Sequence, residues 1–154
     1  MSNSASTGPH RFHMDGWISL APFERMLNIE ITEAADGHAT LKMPFLIDLA
    51  QGAGLMHGGA LVSLADTAVA MAIKTLLAPL SHFATISLES KFLLPVKKGV
   101  VTATANIMER NGRILKGHST IRDDENRAVM EFTSTFKIGR GAEIRGIENH
   151  GVAP

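Results

Sequence analysis

Apolar residues recur along 60–77 as adjacent pairs every four positions: Ala60 with Leu61, Leu64 with Ala65, Ala68 with Val69, Ala72 with Ile73, Leu76 with Leu77. That spacing is one face of a helix and predicts a single long one. The stripe is mostly Ala and Leu, so another element can approach it closely. The stretch before it is glycine-rich, with Gly52, Gly54, Gly58 and Gly59. One acid, Asp66, interrupts the first four turns. At about 100° per residue it falls on the flank of the stripe. A carboxylate there is partly buried, which is costly unless it is hydrogen-bonded or at work.

Elsewhere the pattern alternates. Ile29 and Ile31, then Ala39, Leu41, Met43 and Phe45, each separated by a single residue, predict two strands joined at Asp36 and Gly37. His38 reads as a solvated residue at a strand start, and Pro44 marks an edge or bulge. After a break at 78–81, four more strands are expected over 83–94, 100–109, 113–121 and 127–138. Asn111 and Gly112 carry the strongest hairpin signal in the chain. In the last strand Met130, Phe132, Ser134 and Phe136 oppose Val129, Glu131, Thr133 and Thr135. A short amphipathic helix begins near Pro22, with Trp17, Phe23, Met26 and Leu27 as its buried side. Strands joined by hairpins form an antiparallel sheet, and one long helix with a wide apolar face needs a wrapping. The expected fold is therefore α+β, a curved antiparallel sheet around one central helix.

With 154 residues the chain is one domain with a proper core. Residues 1–15 read as a disordered polar tail, 16–138 as the domain, and 139–154 as a flexible second tail. Fifteen basic residues balance fifteen acidic ones without a like-charge run, which argues against a nucleic-acid stripe or a membrane-surface helix. There is no cysteine, so disulfides, thiolate metal sites and a cysteine nucleophile are excluded. The first residues lack the apolar core of a signal peptide, and the 60–77 stretch is amphipathic, carrying Asp66 and Lys74. A cytoplasmic location is expected. The histidines, including His10 and His13, show no metal-ligand spacing, and no metal or cofactor is implied.

Two chemical readings attach to the glycine-rich entry of the helix. Gly58 and Gly59 either let the loop turn into the helix or offer first-turn amides at the positive end of its dipole. Glycine leaves such amides open to a ligand, a setting suited to a developing oxyanion. Asp66, two turns on, is either a capping or ion-paired acid or a general base or nucleophile toward an acyl group. Its Ala and Val neighbours favour the second reading. His57 either orients a leaving group or binds the loop. Ser63 lacks a nucleophile elbow, and no Gly-x-Ser-x-Gly occurs. Lys97, Arg110, Asn111, Gly112 and Arg113, with Lys116 as a weaker member, form either a phosphate cradle at strand ends and a hairpin or a solvated charged tip.

The run Gln51, His57-Gly58-Gly59 and Leu64-Ala65-Asp66 followed by a sheet-like second half resembles the hotdog-fold acyl-CoA thioesterases of the PaaI type, in the 4-hydroxybenzoyl-CoA thioesterase superfamily. The resemblance covers roughly residues 18–138. It implies subunits joined sheet edge to sheet edge as a dimer, or as a tetramer of such dimers, with sites across the interface. It implies Asp66 as the acid that activates water or attacks the thioester carbonyl. The Gly58 amide, helped by Gly59, would polarise that carbonyl. Gln51 would position substrate or water from the other subunit, His57 would lie near the sulfur, and Thr85 would assist the water. The family holds the nucleotide of coenzyme A near the 97 and 110–113 positions. Val62, Val69, Leu88 and Phe92 would shape the acyl pocket.

The expectation is hydrolysis of an aryl or medium-chain acyl-CoA to a free acid and CoA. A non-catalytic acyl-CoA sensor or carrier is the alternative, and the joint presence of Asp66, Gln51 and His57 counts against it. A hotdog dehydratase needs a differently placed His and acid pair. A purely structural dimerisation module is disfavoured because a buried acid is poor glue.

Overall fold

The computed structural model describes residues 6–150; the ends of both expected tails lie outside them. In chain order the elements are α1 (Pro22–Met26), β1 (Glu30–Ala35), β2 (His38–Pro44), a 3-10 turn (Ile47–Leu49), α2 (Gly58–Lys74), β3 (Phe83–Phe92), β4 (Val100–Asn111), β5 (Ile114–Arg122) and β6 (Ala128–Ile138). The six strands form one sheet in the order β1-β2-β4-β5-β6-β3, with every neighbouring pair antiparallel. The chain leaves β2, runs through α2 and re-enters the sheet at its far edge as β3. The sheet therefore ends in β1 on one side and β3 on the other. No helix among the described residues is long and apolar enough to cross a membrane.

The expected curved sheet around one helix is the observed architecture. All ten stripe residues from Ala60 to Leu77 are buried, and α2 packs chiefly on β4, β2 and β5. The sheet answers with Ala39, Leu41 and Met43 from β2, Val101, Ala103 and Ala105 from β4, and Met130, Phe132, Ser134 and Phe136 from β6. Small residues set the helix close to the sheet. A Cβ on Gly117 of β5 would lie 2.4 Å from Cγ1 of Val69, so only glycine admits the helix at that depth. The helix thus holds a fixed depth and rotation, with Asp66 on its uncovered flank.

Three local expectations differ from the structure. Phe23 and Met26 of α1 were expected inside, yet they are 52% and 65% exposed, and α1 buries none of its residues. Five residues make little more than one turn, too short for two opposed faces; Leu27, just past the helix, takes the core position instead.

The β4–β5 hairpin turns one residue later than expected. Asn111 pairs with Ile114, so the turn residues are Gly112 and Arg113. Only Gly112 takes a positive φ, +61°. Glycine at the first central position is the type II′ pattern rather than the Asn-Gly type I′ pattern.

The segment after β6 was expected to fray, but it is tied down as far as His150. Leu77 bridges Ile144, Arg145 N–H donates to the Leu76 carbonyl at 2.9 Å, and Asn149 Oδ1 accepts from Gly112 N–H at 2.9 Å.

Candidate active site

The start of α2 is built by His57. As N-cap it keeps an extended backbone, and its Nδ1 accepts the Gly59 N–H at 2.8 Å. Its carbonyl accepts the Ala60 and Leu61 amides. That leaves the Gly58 N–H, which among the described residues meets no acceptor. The expected pair of amides is therefore reduced to one, because the His57 ring occupies the Gly59 amide and cannot serve cap and leaving group through the same nitrogen. Accepting through Nδ1 places the ring proton on Nε2.

Gly58 opens onto a cleft of about 330 Å³ lined by Gln51, Leu55, Met56, Leu61, Phe92 and the 93–96 loop. A Cβ on Gly58 would lie 3.2 Å from the Phe92 ring, so a side chain there would crowd the space over the amide. Gln51 faces the same cleft from a tight turn in which its Oε1 accepts the Ala53 N–H and its own N–H donates to the Leu55 carbonyl at 2.8 Å. Gln51 and Gly58 are thus brought together in one chain.

Asp66 belongs to a second cleft, of about 370 Å³, with Val62, Ala70, Phe83, Leu88, Phe136 and Thr85 among its walls. Thr85 Oγ1 donates to both carboxylate oxygens, at 3.1 and 3.0 Å. Burial pushes the Asp66 carboxyl above its ordinary range, and the Thr85 hydroxyl only partly opposes it. No cation pairs with Asp66 among the described residues, so the salt-bridge reading of this acid does not fit. Ser63 Oγ is committed to the Gly59 carbonyl at 2.8 Å. Val62 and Leu88 line the Asp66 cleft and Phe92 the Gly58 cleft. Val69 is fully buried and lines neither, because Gly117 receives it.

The cations expected to act together do not meet in one chain. Lys97 follows Val96, a residue of the Gly58 cleft, before β4 begins, whereas the 110–113 hairpin lies past the other end of that strand. A strand of that length separates them by roughly 30–40 Å. At the hairpin, Arg110 donates to the Gly112 and Ile144 carbonyls, Arg113 donates to the Ile138 carbonyl, and the Gly112 N–H is taken by Asn149. The tip holds the chain's own C-terminal segment rather than an open cradle. Lys116 pairs with Glu109 at 3.5 Å.

Sequence reasoning missed Phe23 and Glu24, which reach the Asp66 cleft from α1. The available signal was that Pro22 starts a helix too short to bury both Phe23 and Met26.

The Thioesterase superfamily pattern matches residues 53–130, just over half of the chain and the part that holds Gly58, Asp66 and Thr85. A protein of Saccharolobus solfataricus provisionally named an esterase is 29% identical over 114 residues, covering 74% of this chain and 75% of that protein. The structure of the Escherichia coli PaaI protein, from the phenylacetic acid degradation operon, superposes with a TM-score of 0.72 at 27% identity, over 79% of this chain and 86% of that one. A hypothetical thioesterase protein of Streptococcus pneumoniae solved with coenzyme A shares the fold, with a TM-score of 0.67 at 22% identity over 73% and 86% of the two chains. Sequence pattern, fold and the chemistry of an unpaired acid on the helix flank agree: this chain belongs to the Thioesterase superfamily, as a thioester hydrolase of the PaaI type with a hotdog fold.

Proposed function

We propose that the protein hydrolyses an aryl or medium-chain acyl-CoA to the free acid and CoA. The observation that carries the reading is Asp66: a partly buried acid with no cation beside it, fixed by one hydroxyl in an apolar cleft. The thioester carbonyl accepts the Gly58 N–H, whose helix terminus favours the negative charge that develops on that oxygen. Asp66 then takes a proton from water as the water oxygen adds to the carbonyl carbon, or it adds to that carbon itself; in both routes the C–S bond breaks and CoA leaves as the thiolate, and in the second a water then hydrolyses the Asp66–acyl anhydride to release the acid and restore the carboxylate. Thr85 holds the carboxylate in place, and Gln51 borders the carbonyl from the loop.

Helical geometry supports a site shared between two copies. Gly58 and Asp66 are eight residues apart on one helix, about 12 Å along its axis, and they open onto different clefts. A single carbonyl does not span that distance. The β3 edge, with exposed Ile86, Leu88 and Phe92, is the surface suited to join a second copy and bring its Asp66 to this Gly58. Lys97, next in the chain to the cleft residue Val96, is the cation we assign to the phosphates of an entering CoA; the same fold holds coenzyme A in the Streptococcus pneumoniae protein.

A thiol-release assay over benzoyl-, phenylacetyl- and hexanoyl-CoA, with wild type beside Asp66→Ala, tests the reading. Release that falls by at least about a thousandfold in the variant is expected for loss of the group that activates the nucleophile. A variant that keeps the full rate would overturn the assignment of Asp66, and release from no acyl-CoA would overturn the substrate class.

A further inference from the structure

We infer that α1 carries the acyl-group selectivity of the site: Glu24, with Phe23 beside it, excludes acyl groups that end in a negative charge. This rests on the acyl-CoA reading above. The helix buries none of its own residues, and the segment just before it is anchored on α2. The Trp17 indole N–H donates to the Lys74 carbonyl at 2.9 Å, and Lys74 Nζ donates back to the Trp17 carbonyl at 3.0 Å. The Lys74 ammonium also lies 4.8 Å from the centre of the Trp17 ring, and that ring meets Phe83 edge-on at 6.3 Å. Arg25 pairs with Asp15 at 2.9 Å. These contacts tie the segment that leads into α1 to the C-terminal end of α2 and to β3.

That placement brings Phe23 and Glu24 to the rim of the cleft that holds Asp66. Phe23 stays 52% exposed there instead of entering the core, as a wall residue would. The apolar walls include Val62, Phe83, Leu88 and Phe136, two of them aromatic, and the cleft's charged members are the two acids Asp66 and Glu24. No lysine or arginine lines it. The cation whose field reaches Glu24 is Lys74, and its ammonium is committed to the Trp17 carbonyl and ring. A neutral acyl chain or ring finds apolar walls, whereas an acyl group ending in a carboxylate meets two acids and no lysine or arginine in the cleft lining, a costly arrangement in a partly desolvated site.

The test pairs hexanoyl-CoA with adipoyl-CoA, equal in carbon number and differing by the terminal carboxylate. Wild-type enzyme is expected to favour hexanoyl-CoA in kcat/KM. Glu24→Gln should raise the adipoyl-to-hexanoyl ratio on the order of tenfold, as expected for removal of one nearby charge, and Glu24→Lys should raise it further. High salt should shrink the difference between variants, which a purely structural effect of the substitution would not do. A ratio unchanged in both variants while hexanoyl-CoA is turned over would overturn the inference and leave the acyl-CoA reading standing. Wild-type preference for adipoyl-CoA would do the same. Release from neither thioester by wild type, or from any other acyl-CoA, would overturn both.

Discussion

One hydroxyl, on Thr85, donates to both oxygens of the Asp66 carboxylate, at 3.1 and 3.0 Å. A donor shared between two oxygens favours the charged form and holds the carboxylate plane against rotation. Burial acts in the opposite sense and prevails, so Asp66 sits above its ordinary range. Thr85→Val keeps the shape and removes the donor. Asp66 should then titrate higher still, and the acid limb of the kcat/KM profile should move to higher pH. A loss of about tenfold is expected near neutrality, the scale of one hydrogen bond to a charged group, with partial recovery in alkaline solution. A pH profile of uniform height loss and unmoved limb would reject this role.

The same burial makes Asp66 costly to the fold. A carboxylate whose folded-state pKa is raised binds protons more readily when folded, so its contribution to stability falls as pH rises from the ordinary value of 3.8 through the folded one. Above that window the penalty is full. Asp66→Asn removes the charge and keeps an acceptor for Thr85. It should abolish hydrolysis while raising Tm at pH 7–8 by about 2–4 °C, with the gain shrinking toward pH 4. Thermal melts at the two pH values measure it; a lower Tm at neutral pH would contradict the sign.

The two residues just discussed show what was legible in the sequence. Asp66 announced itself because a helix stripe of ten apolar residues leaves a lone flanking acid conspicuous, and that periodicity survives folding intact. Thr85 was reachable only through the family resemblance, since its meeting with Asp66 depends on β3 lying at the far edge of the sheet beside α2. Both readings of the Gly59 amide stayed open in the sequence because the cap that closes it is a histidine ring, outside the usual Ser, Thr, Asp and Asn. The hairpin at Gly112 turned one residue late because cross-strand register set the loop, not the dipeptide. Arg113 looked free because its partner, the Ile138 carbonyl, lies far along the chain, as does the Ile144 carbonyl that Arg110 takes besides that of Gly112. Short-range patterns carried the elements; long-range pairing decided which polar groups stayed available.

Packing between α2 and β5 offers a test of the fold that holds Asp66 at its depth. Gly117→Ala would place a methyl group 2.4 Å from Cγ1 of Val69. Relief by shifting the helix should cost about 1–3 kcal/mol, the usual scale of overpacking. Val69→Ala in the same chain should recover part of that loss, because it removes the colliding atom. Denaturant titrations of the two single variants and the double variant give the coupling directly. Additive losses would mean that the two residues do not collide.

The separation of Gly58 from Asp66 makes the sharpest claim, that neither copy holds a whole site. Gly58→Pro removes the N–H at the first helical position, where proline is tolerated, and His57 before it already has the extended backbone that proline requires (ψ 131°). The Phe92 ring, 3.2 Å from the Gly58 Cβ position, has to give slightly. Asp66→Ala removes the acid. Each variant alone should be nearly inactive. When the two are co-expressed and exchange subunits, a mixed dimer pairs an intact Gly58 from one chain with an intact Asp66 from the other. Half of a random mixture is heterodimer with one whole site in two, so about a quarter of wild-type activity should return. Activity no greater than the sum of the two variants, with heterodimer formation shown by differently tagged chains, would place both groups within one subunit's site. The 12 Å along α2 would then have to be closed by movement rather than by a second copy.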